Sequence, residues 1–549
     1  VNIPVLVKDF LFYQTYNTLA ITGGAGTGKT TSVRHIIDYL NEKQINYYLL
    51  APTGRAAQNM FNHVSDISDV PAQTIHSFLY EISNDEDFAA EIVKFDVKDF
   101  EVEDSAIIII DEASMLSHTT IRETDYLQFG SGNLLDDLLQ YINLNNTSRK
   151  LILIGDDCQL PPVTSNSAEV LKKGFLETKG LKVETIHLSE VYRQASSSNL
   201  FTNITSLRNK IEREDFLTLP LVANNVDLIS TSLDSALKNY IWLSKNSIFI
   251  AYTNHQVQTI NLKFREMCHL SSNELEKKEK LILVKNSLIR GKRYYNGDMF
   301  TVESIGKEEN FCYIIKDLDK KDVQINLTFL DVELTHISSG QYIHTKILSN
   351  KLWDENPQPT REELAALIIN FRQKHSNLKK GSPEYRQAIR NDPYFNALFM
   401  RFGYALTCHK AQGGEWDNIF IDLNRPNNDL KTKSGFTWLY TALTRAKQKA
   451  YLIDLPISRE FNSDNPFEHF AISVQQALSS HGFELIDQKA LEYELQLFIK
   501  KDNITSGFKF YRNGKMKITR LMSMKPTSHT LKVEAILTPF VNLSLTEEF

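Results

Sequence analysis

Cysteine is scarce in this chain: four in 549 residues, Cys158, Cys268, Cys312 and Cys408, with no C-x-x-C pair and no zinc-holding spacing. That excludes a disulfide framework and a structural metal, and points to a reducing compartment. Long apolar runs are missing as well. No stretch approaches the roughly 18 residues of a membrane span, and the first residues show no basic-then-apolar leader. A cytoplasmic chain with no membrane partner is therefore expected. Excess positive charge is also absent. The net charge is −6, so any hold on nucleic acid must rest on local basic stripes. Low-complexity segments are not found. What remains is an ordinary globular composition, 42% hydrophobic and 23% charged, in a chain long enough for about two to four domains with real cores.

The stretch around which the chain is organised is 18–31, Thr-Leu-Ala-Ile-Thr-Gly-Gly-Ala-Gly-Thr-Gly-Lys-Thr-Thr. Leu19, Ala20 and Ile21 read as a buried strand, and Val33, Ile36, Ile37 and Leu40 recur at helical spacing. Between them lies G-x-x-x-x-G-K-T, a phosphate-binding loop in its required context of strand, loop and helix. Gly23, Gly24, Gly26 and Gly28, with Ala25 and Thr27 between them, form the nucleotide-binding loop; the glycines let backbone N–H groups curl round phosphates, and the helix N-terminus adds partial positive charge. Lys29 supplies a point charge for the β and γ phosphates, Thr30 a hydroxyl for Mg²⁺, and Thr31 completes the motif. The chain is expected to bind a nucleoside triphosphate.

The strand–loop–helix pattern recurs. Residues 46–51 read as a strand entering Pro52-Thr53-Gly54-Arg55, whose Thr53 and Arg55 suit either a phosphate contact or a cap and a surface charge. Thr74-Ile75-His76-Ser77 precedes a helical stretch, where His76 alone would be a packed or capping histidine, and the alternation within 80–104 suggests a hairpin. Ile107–Ile110 is a β-branched run suited to the centre of a parallel sheet, ending in Asp111-Glu112. There one carboxylate can hold Mg²⁺ and the other can polarise the attacking water; an acidic helix cap is the plainer alternative. Residues 151–155 form the next strand, followed by Asp156-Asp157-Cys158-Gln159, where a glutamine amide can sense a γ-phosphate. Strands are expected at 226–230, 248–251, 402–406, 419–422 and 450–453, short alternating strands over 281–345, and charged helices over 353–400. The last residues, 456–549, read as helices to about 498 and then a hairpin at Asn513-Gly514. Lys500, Lys501, Lys509, Arg512, Lys515, Lys517, Arg520, Lys525 and Lys532, interleaved with Phe508, Phe510 and Tyr511, suit a nucleic-acid contact or a solvated face equally.

In sequence and order, Gly23–Thr31, Ala51–Ala57, Thr74–Ser77, Ile107–Ser114, Gly155–Val163, Tyr192–Gln194, Thr407–Gly413 and Tyr440–Ala446 resemble motifs I, Ia, Ib, II, III, IV, V and VI of superfamily 1 helicases. The stretches His409–Trp416 and Tyr440–Ala446 look most like the RecD and Dda branch, superfamily 1B, which moves 5′→3′ on DNA. The likeness covers residues 18–455.

The resemblance implies an α/β fold of two RecA-like parallel-sheet domains, with a small β-barrel plus helical insertion in the second and a C-terminal α+β tail. The boundaries are 1–193 for the first domain, with a pin-like hairpin near 80–104; 194–280 with 401–455 for the second; 281–400 for the insertion; and 456–549 for the tail. It implies an ATP-dependent DNA helicase, a DNA-dependent ATPase, with ATP and Mg²⁺ as cofactors. Lys29, Thr30, Asp111 and Glu112 would act from the first domain, Gln159 would couple the γ-phosphate to the DNA side, and Arg193 and Arg445 would be fingers from the second. Glu415 would reach the ribose. Thr53, Arg55, Thr74, His76, Thr407, His409 and Gln412 would line single-stranded DNA, and Phe88 or Phe95 on the pin would stack on the first base pair of a duplex junction. Repair or recombination proteins are the implied partners of a chain that is itself a monomer. A nucleotide-switched DNA-binding subunit and an RNA helicase are the alternatives. One departure stands out: the family's adenine-reading glutamine lies well upstream of the first motif, and Gln14 is too close to Gly23 to fill that place. Either the natural start lies upstream of Val1 or base selectivity is relaxed, and GTP use beside ATP use is expected.

Overall fold

The computed structural model describes residues 3–12, 15–82, 93–99, 102–120, 127–162, 165, 167–189, 198–216, 218–243, 246–289, 292–316, 321–356, 358–379, 382–425, 430–455, 467, 470, 474, 477–478, 481–491, 493–502, 504–524 and 526–545. Gln14, Phe88 and Tyr192–Gln194, including the expected finger Arg193, lie outside the described residues. No helix among the described residues is long and apolar enough to cross a membrane.

The first half begins with β1 (Thr18–Gly23), β2 (Tyr47–Ala51), β3 (Ala72–Thr74), β4 (Tyr80–Ile82), β5 (Val93–Val97), β6 (Ile107–Ile110), β7 (Leu127–Phe129), β8 (Lys150–Gly155) and β9 (Val183–Leu188). Six of these form a parallel sheet in the order β3-β2-β6-β8-β1-β9. A parallel sheet covered on both faces needs strands apolar on both sides. Accordingly all four isoleucines of β6, and Leu151–Ile154 of β8, are buried. The register sets Thr22 beside Gly155 and Ile110 beside Leu153, so the loops leaving β1, β6 and β8 emerge together at the carboxyl edge. That edge is where an open α/β sheet builds a ligand crevice. To one side β4 pairs antiparallel with β5, and β7, which the residue pattern had not suggested, joins β5 in parallel.

The second parallel sheet starts with β10 (Leu228–Thr231) and β11 (Ser247–Ala251) and is then interrupted. The interruption holds β12 (Lys280–Leu283), β13 (Ser287–Ile289), β14 (Lys292–Tyr294), β15 (Met299–Lys316), β16 (Asp322–His336), β17 (Tyr342–Leu348) and β18 (Met400–Phe402). Strands β17-β16-β15-β12-β18 form an antiparallel sheet, and β13 pairs with β14 as a separate ribbon. The two sheet edges meet through an Ile347–Leu398 bridge, with Leu348 N–H donating to Leu398 O at 3.1 Å, so the sheet closes into a small barrel. Among the short strands expected over 281–345, the apolar runs 300–305 and 311–315 belong to one strand, β15. The charged residues between them continue the ladder past a register shift at Ile305/Glu308, because backbone pairing does not require apolar side chains. The helix Arg361–Lys374, opened by a Thr360/Glu363 capping box, packs Ala366 and Leu367 on the far end of the long β15–β16 hairpin. The chain then returns through β19 (Ala405–Thr407), β20 (Trp416–Asp422) and β21 (Ala446–Ile453), giving a parallel sheet ordered β10-β21-β20-β11-β19.

Residues 210–221, 429–433 and 455–549 form a separate compact unit. Its sheet is a meander of β22 (Glu484–Ala490), β23 (Glu494–Lys501), β24 (Ile504–Arg512) and β25 (Ile518–Ser523). Helices do not run to about residue 498 as expected: strands begin at 484 and 494. Leu495, Leu497 and Ile499 are buried alternately, with Phe508, Phe510 and Ile518 on neighbouring strands. A period of two is the strand pattern, not the helical one. At the β24–β25 turn the Asn513 side chain accepts from Lys515 and Lys517 N–H.

Candidate nucleotide site between the two parallel sheets

The loop after β1 is built as its glycines require. Gly26 (φ 78°) and Gly28 (φ 88°) are left-handed, and a Cβ on Gly23 would meet Thr27 Oγ1 at 2.5 Å. Thr27 is buried and its hydroxyl donates to Gly24 O at 2.9 Å. Gly28 caps the helix Lys29–Glu42. Lys29 Nζ donates to Gly23 O (2.8 Å) and Gly24 O (2.9 Å) and lies 3.9 Å from Asp156 Oδ2.

A cavity of about 460 Å³ opens over this loop, lined by Ala25, Gly26, Gly28, Lys29, Thr30, Thr31, Asp111, Glu112 and Gln159 from the first sheet's side and by Glu415 and Arg445 from the second's. Asp111 leaves the end of β6 and accepts a 2.8 Å hydrogen bond from Glu112 N–H. Burial first, and then the charge of Glu112, pushes the Asp111 carboxyl up to about 7. Glu112 sits in the left-handed region (φ 52°), a conformation costing about 1–3 kcal/mol in a non-glycine residue. Its Oε2 is buried without a hydrogen-bond partner, and its Oε1 lies 4.0 Å from Arg445 Nη1. Two crowded carboxylates, one carrying an unsatisfied oxygen, beside the Thr30 hydroxyl are a donor set that fits Mg²⁺.

Arg445 is buried just past the helix Lys433–Leu443. Its Nε donates to Thr441 O (3.1 Å) and its Nη2 to Thr444 Oγ1 (3.0 Å), which aims the guanidinium at the cavity. Gln159 is buried too, its Nε2 3.5 Å from Asp156 Oδ2 and its Oε1 without a partner. Glu415 lies 3.4 Å from Lys447 Nζ.

Several of the residues expected to line a single strand are engaged within the protein. Thr53 caps the helix Gly54–Val64 by accepting from Ala56 N–H at 3.2 Å. Arg55 is half-buried: it donates to Lys410 O (3.3 Å) and to Gly297 O, and its guanidinium lies 5.2 Å from the Trp416 ring. Burial lowers Arg55 to about 10. Thr74 is a buried cap accepting from Ser77 N–H. His76, held to about 4 by burial, meets the Phe129 ring edge-on at 5.2 Å, and Phe95 stacks on the same Phe129 at 4.5 Å. Thr407 precedes the short helix Cys408–Ala411 without a side-chain cap, and burial lowers the neighbouring His409. Gln412 is buried and donates to Leu160 O at 2.8 Å, joining the two halves.

Three residues central to the geometry escaped the sequence reading: Asp156, Arg208 and Tyr440. Asp156 had the signal of a carboxylate directly after a buried strand, and Tyr440 that of a motif residue. Arg208, on the helix Asn199–Glu212, had none.

Residues 12–165 match a family described as an AAA domain, and 402–453 match the UvrD-like helicase C-terminal domain. Residues 464–540 match the TATA-binding-like protein domain of the TOTE conflict systems. The chain is similar to the RecBCD enzyme subunit RecD of Buchnera aphidicola subsp. Schizaphis graminum (strain Sg), with 27% identity over 478 residues covering 79% of this chain and 69% of that protein. It is also similar to the ATP-dependent DNA helicase Pif1 of Psychrobacter sp. (strain PRwf-1), with 23% identity over 568 residues covering 93% and 78%. A solved structure described as two coordinating Pif1 helicases at forked dsDNA is 16% identical, with a TM-score of 0.44 over 88% of this chain and 98% of that one.

Proposed function

The chain is a superfamily 1 helicase of the RecD/Pif1 type, and from that premise we propose that it moves 5′→3′ along single-stranded DNA, driven by Mg-ATP hydrolysis between its two parallel-sheet halves. The single observation that carries the reading is the cavity shared by Lys29, Thr30, Asp111, Glu112 and Gln159 on one side and Glu415 and Arg445 on the other. Hydrolysis there requires groups from both halves.

Lys29 and the loop N–H groups hold the phosphates, and Glu415 faces the sugar. Asp111 and Thr30 would hold Mg²⁺, which supplies charge neutralisation on the β and γ oxygens. Glu112 accepts the proton of the water whose oxygen bonds to the γ-phosphorus as the bond to the bridging oxygen breaks. Arg445 stabilises the charge that develops on the transferring phosphoryl, and Arg193 is assigned the second finger on its sequence pattern alone. A ligand can move the halves only by its differential affinity for the closed and open forms, and the γ-phosphate provides that difference. Thr53, Arg55, Thr74, His76, Thr407, His409 and Gln412 are assigned to the strand path, and Phe88 and Phe95 to the junction. The C-terminal unit, with its basic residues and its TATA-binding-like match, is assigned a further nucleic-acid contact.

The test is ATP turnover with and without oligothymidylate, beside unwinding of matched 5′- and 3′-tailed duplexes. DNA-stimulated turnover and unwinding from the 5′ tail alone are expected. Unwinding only from the 3′ tail refutes the polarity. Turnover or binding without any unwinding replaces the motor by a nucleotide-switched DNA-binding subunit, and a preference for RNA tails makes RNA the track.

A further inference from the structure

Beneath the cavity floor the carboxylate of Asp156, fully buried at the exit of β8, gathers partners from both halves. Its Oδ1 accepts from Arg208 Nη1 at 2.6 Å and from Cys158 N–H at 3.1 Å. Its Oδ2 accepts from the Tyr440 hydroxyl at 2.8 Å and lies 3.9 Å from Lys29 Nζ. The second arm of Arg208 donates to Asp157 Oδ1 at 3.0 Å. Asp156, Asp157 and Cys158 have the make-up of a cation site, and the guanidinium is the cation that the two carboxylates hold.

The same groups press on the phosphate-binding loop. Ala25 N–H donates to the Tyr440 hydroxyl at 3.2 Å, and a Cβ on Gly24 would come within 3.1 Å of the Arg208 side chain. Arg208 stands on the helix Asn199–Glu212 that leads into β10, and Tyr440 on the helix between β20 and β21. Lys29, Ala25 and Asp156 all follow strands of the first sheet. A short seam continues from this junction: Leu160 N–H donates to Thr441 Oγ1 at 2.8 Å, and Gln412 donates to Leu160 O at 2.8 Å. Gln159, which lines the cavity, sits between the two ends, its N–H donating to Asp156 O at 3.2 Å.

We infer that Arg208 and Tyr440 are positioning residues that act through Asp156 to tie the grip on the terminal phosphate to closure of the two halves. This rests on the reading that a triphosphate sits at Lys29. Hydrogen bonds that span the halves exist only when the halves are together. A ligand that favours the closed form therefore draws part of its affinity from them, and a ligand indifferent to closure draws none. A triphosphate is the first kind of ligand, since its terminal phosphate faces Lys29 and Arg445 at once. A diphosphate is the second.

The experiment compares affinities of the full chain for Mg-ADP and for a non-hydrolysable Mg-ATP analogue by fluorescence titration. Tyr440→Phe deletes one hydroxyl without changing shape and should weaken the analogue about tenfold, the loss of a buried charge-assisted hydrogen bond, with ADP binding within about twofold of wild type. Arg208→Lys keeps a charge for Asp156 but loses the fork to Asp157, and should fall between wild type and Arg208→Ala. Combining Tyr440→Phe with Arg208→Ala should cost less than the sum of the two, because both act through one carboxylate. Parallel weakening of both nucleotides, or an unchanged preference for the analogue, overturns the inference. A wild-type chain that binds neither nucleotide overturns the site reading itself. A wild-type preference that survives in Tyr440→Phe removes only the role of this junction.

Discussion

Replacing Glu112 by glutamine should separate binding from turnover while making the protein more stable. Glu112 has a buried oxygen with no partner, stands 4.0 Å from Arg445, and is the second-largest cause of the upward shift of Asp111 to about 7. Glutamine keeps the shape and removes the proton acceptor. A positioned general base is worth about 10²–10⁴ in rate, so the turnover barrier should rise by about 3–5 kcal/mol. Stability moves the other way. Asp111 is raised from 3.8 to about 7 in the folded chain, so the folded state holds a proton that the unfolded state has lost, and stability falls as pH rises between those values. With Glu112 neutral, part of that loss disappears, and at pH 8 without Mg²⁺ the variant should gain of the order of 1 kcal/mol. The assays are steady-state ATP turnover with saturating oligothymidylate, nucleotide titration, and thermal melting at pH 8 and pH 5. Turnover within about threefold of wild type refutes the role of Glu112, and a lower melting temperature at pH 8 refutes the electrostatic account of the pair.

Other consequences follow from buried charge elsewhere. Arg265 and Glu279 form a buried pair at 2.7 Å, with the guanidinium 4.3 Å from the Phe402 ring; Arg265→Ala strands the carboxylate and should cost about 3–5 kcal/mol in urea unfolding, a loss under about 1 kcal/mol counting against it. Lys410 Nζ is buried without a partner and is lowered to about 8 by burial and then by Arg401 and Arg55. The penalty for charging it is therefore full at pH 7 and is relieved as pH rises from 8 towards 10.5. Lys410→Met should stabilise the chain by about 1–2 kcal/mol at pH 7 and by less at pH 10. His76, held neutral down to about 4, makes the folded chain lose stability as pH falls from 6.5 towards 4, and His76→Phe should flatten that part of the melting-temperature profile.

The sheets were legible where residue type alone decides structure. Ile107–Ile110 can only be central in a parallel sheet, and the glycines before Lys29 can only be a loop that turns left-handed. Elsewhere the local pattern was weaker than the tertiary context. The charged middle of β15 gave no apolar alternation, yet the facing strand carries it across. In the C-terminal unit the alternation of Leu495, Leu497 and Ile499 is a strand signal, against the helix expected there. For the cavity, motif residues pointed to Lys29, Asp111, Glu112, Gln159 and Arg445 together. Arg208 was invisible, because an arginine on an amphipathic helix is a surface charge until the fold places a buried carboxylate against it. Arg55 and Gln412 each donate to a backbone carbonyl across the seam, contacts that no local pattern in the sequence announces.

The central claim is that a triphosphate draws the two halves together and that losing the γ-phosphate lets them part. Donor and acceptor dyes at Asn62→Cys, on the helix Gly54–Val64, and Lys449→Cys, on β21, both exposed and in a Cys312→Ser background, report that motion directly. Energy transfer should be higher with a non-hydrolysable ATP analogue than with ADP and should switch reversibly between the two. Identical transfer with both nucleotides, each shown to be bound, would contradict the account.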